Sequence, residues 1–107
     1  MLRVKVQINT DGNIEGDEET TQHVEAALEA AVGRFTGQIT RVEVHLSDLN
    51  SHKFGADDKR CLLEARLAGR KPTAVSHQAA TVQEAIEGAA EKLKSTLEST
   101  LGRLGRG

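Results

Sequence analysis

The segment that most constrains the fold of this chain is its last apolar stripe, which runs from Thr81 to about Arg103. Apolar residues recur there at steps of three and four, the spacing that places them on one side of an α-helix. Thr81 and Glu84 have the spacing of a capping box, which marks the start of the helix. A helix of about 23 residues is roughly 35 Å long, so its stripe needs a broad apolar surface to cover it. The stripe consists of Val82, Ile86, Ala89 or Ala90, Leu93, Leu97 and Leu101.

The sequence pattern of the residues before Thr81 predicts one further helix and four strands. The first helix starts near Glu18 with Asp17 as its N-cap, extends to Phe35 and is closed by Gly37. Turn-forming residues indicate a long loop over residues 48–58 and a short hairpin connection over residues 68–71. Alternation of apolar and polar residues predicts strands at residues 2–8, 38–47, 59–67 and 73–78.

The predicted order is therefore β-α-β-β-β-α. The first two strands are joined through a helix and can be parallel neighbours, whereas the last three can form an antiparallel meander. Both helices then cover one face of a four-stranded mixed sheet, which gives an α+β two-layer sandwich with one open face. A chain of 107 residues has the length of one domain, so we expect a single domain over residues 1–107.

The composition excludes several classes of protein. The chain has no Trp or Tyr and two Phe, which predicts an aliphatic core and argues against binding single strands by base stacking. Cys61 is the only cysteine, so no intrachain disulfide is possible and a reducing compartment is expected. No stretch approaches 18 apolar residues, and the N-terminus lacks a long apolar run. We expect a cytoplasmic protein that does not bind membranes.

The charges are unevenly distributed along the chain. The formal net charge is −2, from 14 Lys and Arg against 16 Asp and Glu. Residues 7–33 contain no Lys or Arg but seven of the acidic residues, so the remainder carries 14 basic against nine acidic residues. Such an asymmetry can produce a basic face on an acidic protein, although exposed charges also serve simply to solvate a surface.

Two stretches resemble a known family. GNIEGDEETTQHVEAAL at residues 12–28 and TVQEAIEGAAEKLKSTL at residues 81–97 are similar to the signatures of the hibernation-promoting factor and ribosome-associated inhibitor A family. The resemblance implies a fold related to double-stranded RNA-binding domains. It also implies docking on the small ribosomal subunit, where the family blocks the messenger and transfer RNA sites of idle ribosomes under stress or in stationary phase. The chain resembles a short form without the C-terminal extension that pairs ribosomes.

The chain also departs from the family pattern in both helices. Several positions where relatives are often basic or aromatic carry small or neutral residues here. If each lost phosphate contact removes about one unit of salt dependence, the chain should bind RNA more weakly than a typical relative. The departures are Thr21, Ala27 and Ala30 in the first helix and Gln83, Ser95 and Ser99 in the second.

Eight basic residues are candidates for contact with ribosomal RNA. Lys92 matches the E-K-L of the family pattern, and Arg34 falls where relatives are generally basic. Lys94 and Arg103 lie near Lys92 in the sequence but match no diagnostic position. The alternative is that such residues are ordinary exposed charges, whose ion pairs contribute only about 0–1 kcal/mol. Four more would form a stripe across three neighbouring strands of the open face: Arg3, Lys5, Arg41 and Arg66.

We predict no metal, cofactor, small-molecule substrate or catalytic site. Asp57 and Asp58 lie near His52 in the sequence, but no set of nucleophile, base and orienting residue is evident. The remaining candidate ligands lack the spacing that is typical of metal sites. They are His45, His77 and Cys61.

Three hypotheses for function follow. The first is a ribosome-binding translation inhibitor without enzymatic activity. The second is a protein-interaction module of the same fold, which has lost most RNA affinity and binds a protein partner through its acidic first helix. The third is an enzyme, for which the sequence offers no arrangement of reactive groups.

Overall fold

The computed structural model of the chain describes residues 4–11, 17–49 and 58–104, without the side chains of residues 101–104. The order β-α-β-β-β-α is confirmed, with a 3-10 turn added after the first helix. The elements are β1 (Lys5–Thr10), α1 (Glu18–Val32), the 3-10 turn (Gly33–Phe35), β2 (Ile39–Asp48), β3 (Lys59–Leu67), β4 (Thr73–Ala79) and α2 (Val82–Leu104).

The four strands form one mixed sheet in the order β1-β2-β3-β4. β1 pairs with β2 in parallel, and β2, β3 and β4 pair in an antiparallel meander. The predicted sheet is thus confirmed, because a helical crossover joins the two parallel strands and short connections join the others. β1 and β4 are the edge strands.

The core lies between one face of the sheet and the two helices. Alternate residues of the strands point into it, as the period of two requires, and the opposite face of the sheet, here called the open face, is left to solvent. Phe35 is the one aromatic side chain among the described core residues, in agreement with the predicted aliphatic core. Fully buried large side chains include Val42, Val44, Leu46, Leu63, Ile86, Leu93 and Leu97.

The two helices, here called the helical layer, run in the same direction. His23 Nε2 of α1 lies 3.3 Å from Glu87 Oε2 of α2, close enough for an ion pair when protonated but not aligned for a hydrogen bond. Arg34, just after α1, pairs with Glu98 further along α2. α1 follows β1 and α2 follows β4, and these two strands run in the same direction, so both helices begin at the end of the sheet where the strands finish. No helix in the described ranges is both long and apolar enough to cross a membrane.

Both helix starts have the predicted caps. Asp17 accepts a hydrogen bond from the Thr20 backbone N–H at 2.8 Å, and this bond lowers the pKa of the Asp17 carboxyl. At α2, Thr81 Oγ1 accepts from Glu84 N at 3.1 Å. The Glu84 carboxylate accepts from the Thr81 hydroxyl at 3.1 Å, which replaces the bond to the Thr81 backbone N–H that a full capping box contains.

The predicted end of the first helix is wrong. α1 ends at Val32, with Gly33 as a right-handed C-cap, and Phe35 lies in the 3-10 turn that follows. A 3-10 turn tightens the chain and satisfies terminal carbonyls without a left-handed glycine. Gly37 therefore does not close the helix but lies in the turn before β2.

The strand boundaries differ slightly from the prediction. β1 continues to Thr10, because Asn9 and Thr10 pair with β2, and its predicted first residues lie outside the described part of the chain. β2 extends to Asp48 and β4 to Ala79. Of the predicted loop over residues 48–58, residues 50–57 also lie outside the described ranges.

α2 lies close against β4 at Gly88. A Cβ built on Gly88 would lie 2.0 Å from Cδ2 of His77, whose ring faces the helix from β4. Such a distance is far below van der Waals contact, so only a residue without a side chain fits while His77 keeps this position. The glycine therefore allows the helix to lie on an imidazole.

Gly88→Ala should lower the free energy of unfolding, because overpacking costs about 1–3 kcal/mol and exceeds the roughly 1 kcal/mol that alanine gains over glycine in a helix. In a His77→Ala background the same substitution should become stabilising, because the ring is removed. Denaturant unfolding of the four proteins would measure both effects.

Gly37→Ala is the matched control. A Cβ at Gly37 meets nothing within 4 Å, so stability should stay unchanged or rise slightly. If Gly88→Ala were as stabilising in the wild-type background as in His77→Ala, the close approach of the helix to this ring would be disproved.

Candidate nucleic-acid interface

Three of the predicted basic residues meet on the open face of the sheet. Lys5 of β1 is the register partner of Arg41 of β2, and Arg41 is the register partner of Arg66 of β3. Register partners lie at the same level of a sheet, and neighbouring strands are about 4.8 Å apart. The predicted stripe across three strands is thus present as a row of adjacent cations.

Glu43 holds the two arginines of this row. Its Oε2 lies 3.8 Å from Arg41 Nε and 3.3 Å from an Arg66 guanidinium nitrogen. Arg66 also lies 3.6 Å from Glu64 Oε1, and Arg41 donates to the Gln7 side chain. The alternative interpretation, that these arginines form surface ion pairs, therefore describes part of their environment. Glu43 and Glu64 together offset two of the three positive charges of the row.

Sequence reasoning missed two further cations, Arg70 and Lys71, in the turn between β3 and β4. This turn lies at the same end of the sheet as the row, since β3 finishes there. Gly69 occupies it with a positive φ of 69°, which glycine adopts at little cost. The signal was visible as the basic pair after Ala68-Gly69, but the sequence alone does not place the pair beside Arg66.

The turn is fastened to the start of β2. The Ala68 backbone N–H donates to the Gln38 carbonyl at 2.9 Å, and Thr40 Oγ1 donates to the Arg66 carbonyl at 3.1 Å. We call this part of the sheet the basic end. It comprises Lys5, Arg41, Arg66, Arg70 and Lys71.

The predicted cations of the helical layer have other surroundings. Arg34 pairs with Glu98, and its guanidinium carbon lies 4.8 Å from the centre of the Phe35 ring. Arg34 nevertheless remains 65% exposed. Lys94 lines a groove between α1 and α2 together with Glu91. Both cations therefore lie among carboxylates.

Lys92, the residue with the strongest family match, contacts β4. Its Nζ donates to the Ser76 carbonyl at 2.9 Å, so the side chain bridges α2 and an edge strand. The structure therefore gives Lys92 a packing role within the fold. Arg103 lies in the last turn of α2, and its side chain and Arg3 lie outside the described part of the structure.

The opposite end of the sheet is rich in carboxylates. Lys59 Nζ lies 3.1 Å from Asp58 and 3.3 Å from Asp48, and the hydrogen bond to Asp58 raises the pKa of Lys59. Asp11 accepts from the Asp48 backbone N–H at 2.9 Å. Lys59, one of two described cations at this end together with Arg60, is thus held between two carboxylates.

The exposed surface of the helical layer is acidic. α1 contains no Lys or Arg. Between the helices lies a groove of about 280 Å³, with alanines on its floor and Glu87 and Glu91 on its rim. The exposed glutamates of the two helices are Glu18, Glu19, Glu25, Glu29, Glu84, Glu87 and Glu91.

The described residues hold no group of His, Cys, Asp and Glu arranged to bind a metal ion. Cys61 is fully buried in the core, and burial raises the pKa of its thiol to about 12. A thiol with such a pKa stays protonated at neutral pH and is a poor nucleophile or ligand. The predicted inward position of Cys61 is confirmed.

Comparison with known proteins identifies the family. A family model described as "Sigma 54 modulation protein / S30EA ribosomal protein" matches residues 6–104 of the chain. No curated protein sequence matches significantly.

Two solved structures share the fold. The N-terminal domain of Protein Y from Thermus thermophilus has a TM-score of 0.71 at 20% identity, with 94% of this chain and 99% of that chain covered. A ribosomal subunit interface protein from Coxiella burnetii has a TM-score of 0.75 at 11% identity, with 92% and 99% covered. These similarities confirm the predicted α+β fold.

Cys61 should not react with a thiol-specific reagent in the folded protein at neutral to mildly alkaline pH, because the thiol is buried and stays protonated below a pKa of about 12. Its labelling should follow the unfolded fraction along a denaturant series. Labelling of the folded protein at the rate of a free thiol would show that the cysteine is accessible.

Proposed function

The chain belongs to the Sigma 54 modulation protein / S30EA ribosomal protein family, and we propose that it binds the small ribosomal subunit and inhibits translation during stress or stationary phase. Family membership makes it a ribosome-associated protein of the hibernation type. The small subunit as its partner, and occupation of the channel for messenger and transfer RNA, are the specific parts of the proposal.

The observation that supports the proposal best is the gathering of cations at one end of the fold. Residues that are far apart in the sequence, from Lys5 to Lys71, come together there through strand register. Clustered Lys and Arg neutralise phosphates and release counterions, which is the main source of affinity for RNA. The Coxiella burnetii structure supports a ribosomal partner through its name, a ribosomal subunit interface protein.

The proposed mechanism is steric and requires no reactive group. Phosphate contacts at the basic end hold the protein in the channel, and its folded volume excludes messenger and transfer RNA. Binding of this kind depends on exposed cations and a rigid scaffold, both of which the sheet supplies. We therefore propose that the protein is an RNA-binding inhibitor that works in the cytoplasm as a single domain and needs no cofactor or metal.

A second candidate function is supported by the acidic helical layer. The groove between α1 and α2, with its glutamate rim, is suited to a protein partner with basic side chains. Changing Glu25 and Glu29 of α1 to Lys should abolish such an interaction but leave ribosome binding equal or stronger. Loss of ribosome binding in this variant would contradict this expectation and show that the acidic helix contributes to the ribosome contact.

The protein should cosediment with purified vacant small subunits in a salt-sensitive manner and not with large subunits. Affinity should fall roughly threefold per phosphate contact between about 50 and 200 mM salt. Small subunits loaded with messenger and initiator transfer RNA should bind less protein, because the channel is occupied. Equal binding to loaded and vacant subunits would disprove occupation of the channel.

A variant that neutralises cations both at the basic end and on the helical layer serves as the comparison. Lys5→Ala, Lys71→Ala, Arg34→Ala and Lys94→Ala together should weaken binding whichever side contacts RNA. Circular dichroism should confirm that this variant is folded. Absence of wild-type binding at low salt would refute the proposed function as a whole.

A further inference from the structure

We infer that RNA lies against the open face of the sheet at the basic end, and that the helical layer faces away from it. The inference rests on the proposed function and adds the surface of contact and the ligand chemistry, which is the phosphodiester backbone. It differs from the expectation that the second helix supplies the main contacts.

The row of cations is the first argument. Lys5, Arg41 and Arg66 occupy adjacent register positions on three strands. Like charges placed directly opposite each other destabilise a sheet, so the row is unfavourable for the isolated fold. A polyanionic backbone laid across the strands removes that repulsion, because each phosphate can lie beside a cation of the row.

The two carboxylates in this region orient the arginines and offset only part of the positive charge of the basic end. Glu43 is only 16% exposed and lies between the guanidinium groups of Arg41 and Arg66. Arg66 remains 52% exposed despite its two glutamate neighbours. A fixed guanidinium loses less conformational freedom when it binds a phosphate than a free one does.

The β3–β4 turn extends the row beyond the sheet. Arg70 and Lys71 are both exposed, and neither forms an ion pair within the described residues. With Glu43 and Glu64 as the neighbouring acids, five cations face two carboxylates. The basic end of the open face therefore carries an excess of three positive charges.

The helical layer is a poor surface for phosphates. Each of its described cations is occupied or surrounded: Arg34 pairs with Glu98, Lys92 donates to a backbone carbonyl, and Lys94 lies in a groove with glutamates on its rim. The exposed glutamates of both helices would repel a phosphate backbone. RNA placed on this side would meet more negative than positive charge.

The chemistry of the open face also defines what it recognises in RNA. Its described side chains are charged, polar or aliphatic, apart from the imidazole of His45; Leu62 is the large apolar residue, and the face has no Phe, Tyr or Trp. Without a stacking platform, bases contribute little. The contacts are therefore to the backbone, with little dependence on base sequence.

Two matched double variants test which side of the protein contacts RNA. Arg70→Ala with Lys71→Ala removes two cations from the turn, and Arg34→Ala with Lys94→Ala removes two from the helical side. Binding to small subunits is measured over a salt series, with folding checked by thermal unfolding. The turn variant should reduce the slope of log affinity against log salt by about 1.5, whereas the helical variant should match the wild type. The reverse result would overturn the inference.

A second measurement does not depend on the ribosome. Amide chemical shifts are recorded by NMR during titration with a short RNA hairpin. Shifts concentrated at Lys5, Arg41, Arg66, Arg70 and Lys71 support the inference, and shifts concentrated on α1 and α2 refute it. If these sheet residues shift but small subunits do not bind, the proposed function fails while the RNA surface remains assigned. If no residue shifts and small subunits do not bind, both fail.

Discussion

The burial of α2 against a single face of the sheet is the interaction on which the rest of the structure depends. Ile86, Leu93 and Leu97 are almost completely removed from water, and each fully buried aliphatic side chain contributes about 1.5–3 kcal/mol. Because both helices are needed on that face to cover the apolar strand residues, the other face stays in solvent. A polar face supported by a rigid core can carry charged residues at fixed spacings.

Chain topology then separates the charges. The helical crossover after β1 and the connection after β4 both reverse the chain direction, so α1 and α2 start at the same end of the sheet. The acidic cap of α1 and the acidic first turns of both helices lie at that end. The first residues of β1 and β2 and the last residues of β3 lie at the other. An overall net charge of −2 therefore conceals a strongly basic region.

Local patterns in the sequence were sufficient for the fold but not for the site. Alternation placed Cys61 in the core correctly, because the side of a strand depends only on parity. The predicted end of the first helix at Phe35 was wrong. Phe35 is buried whether the helix continues to it or a 3-10 turn follows the helix, so the apolar pattern does not distinguish the two. The position of Arg70 and Lys71 at the basic end depends on how the strands pair, and the hydrogen bond of Lys92 depends on how α2 packs on β4. A local sequence pattern encodes neither strand pairing nor helix packing.

The contact between Lys92 and Ser76 also affects how the protein behaves at high concentration. β4 is an edge strand, and an edge offers backbone groups with which a second molecule can extend the sheet. Lysine and proline are the residues that natural proteins use to discourage such pairing. Pro72 precedes β4, and the Lys92 ammonium covers a carbonyl near its centre. We therefore expect Lys92 to discourage pairing of β4 with a second molecule.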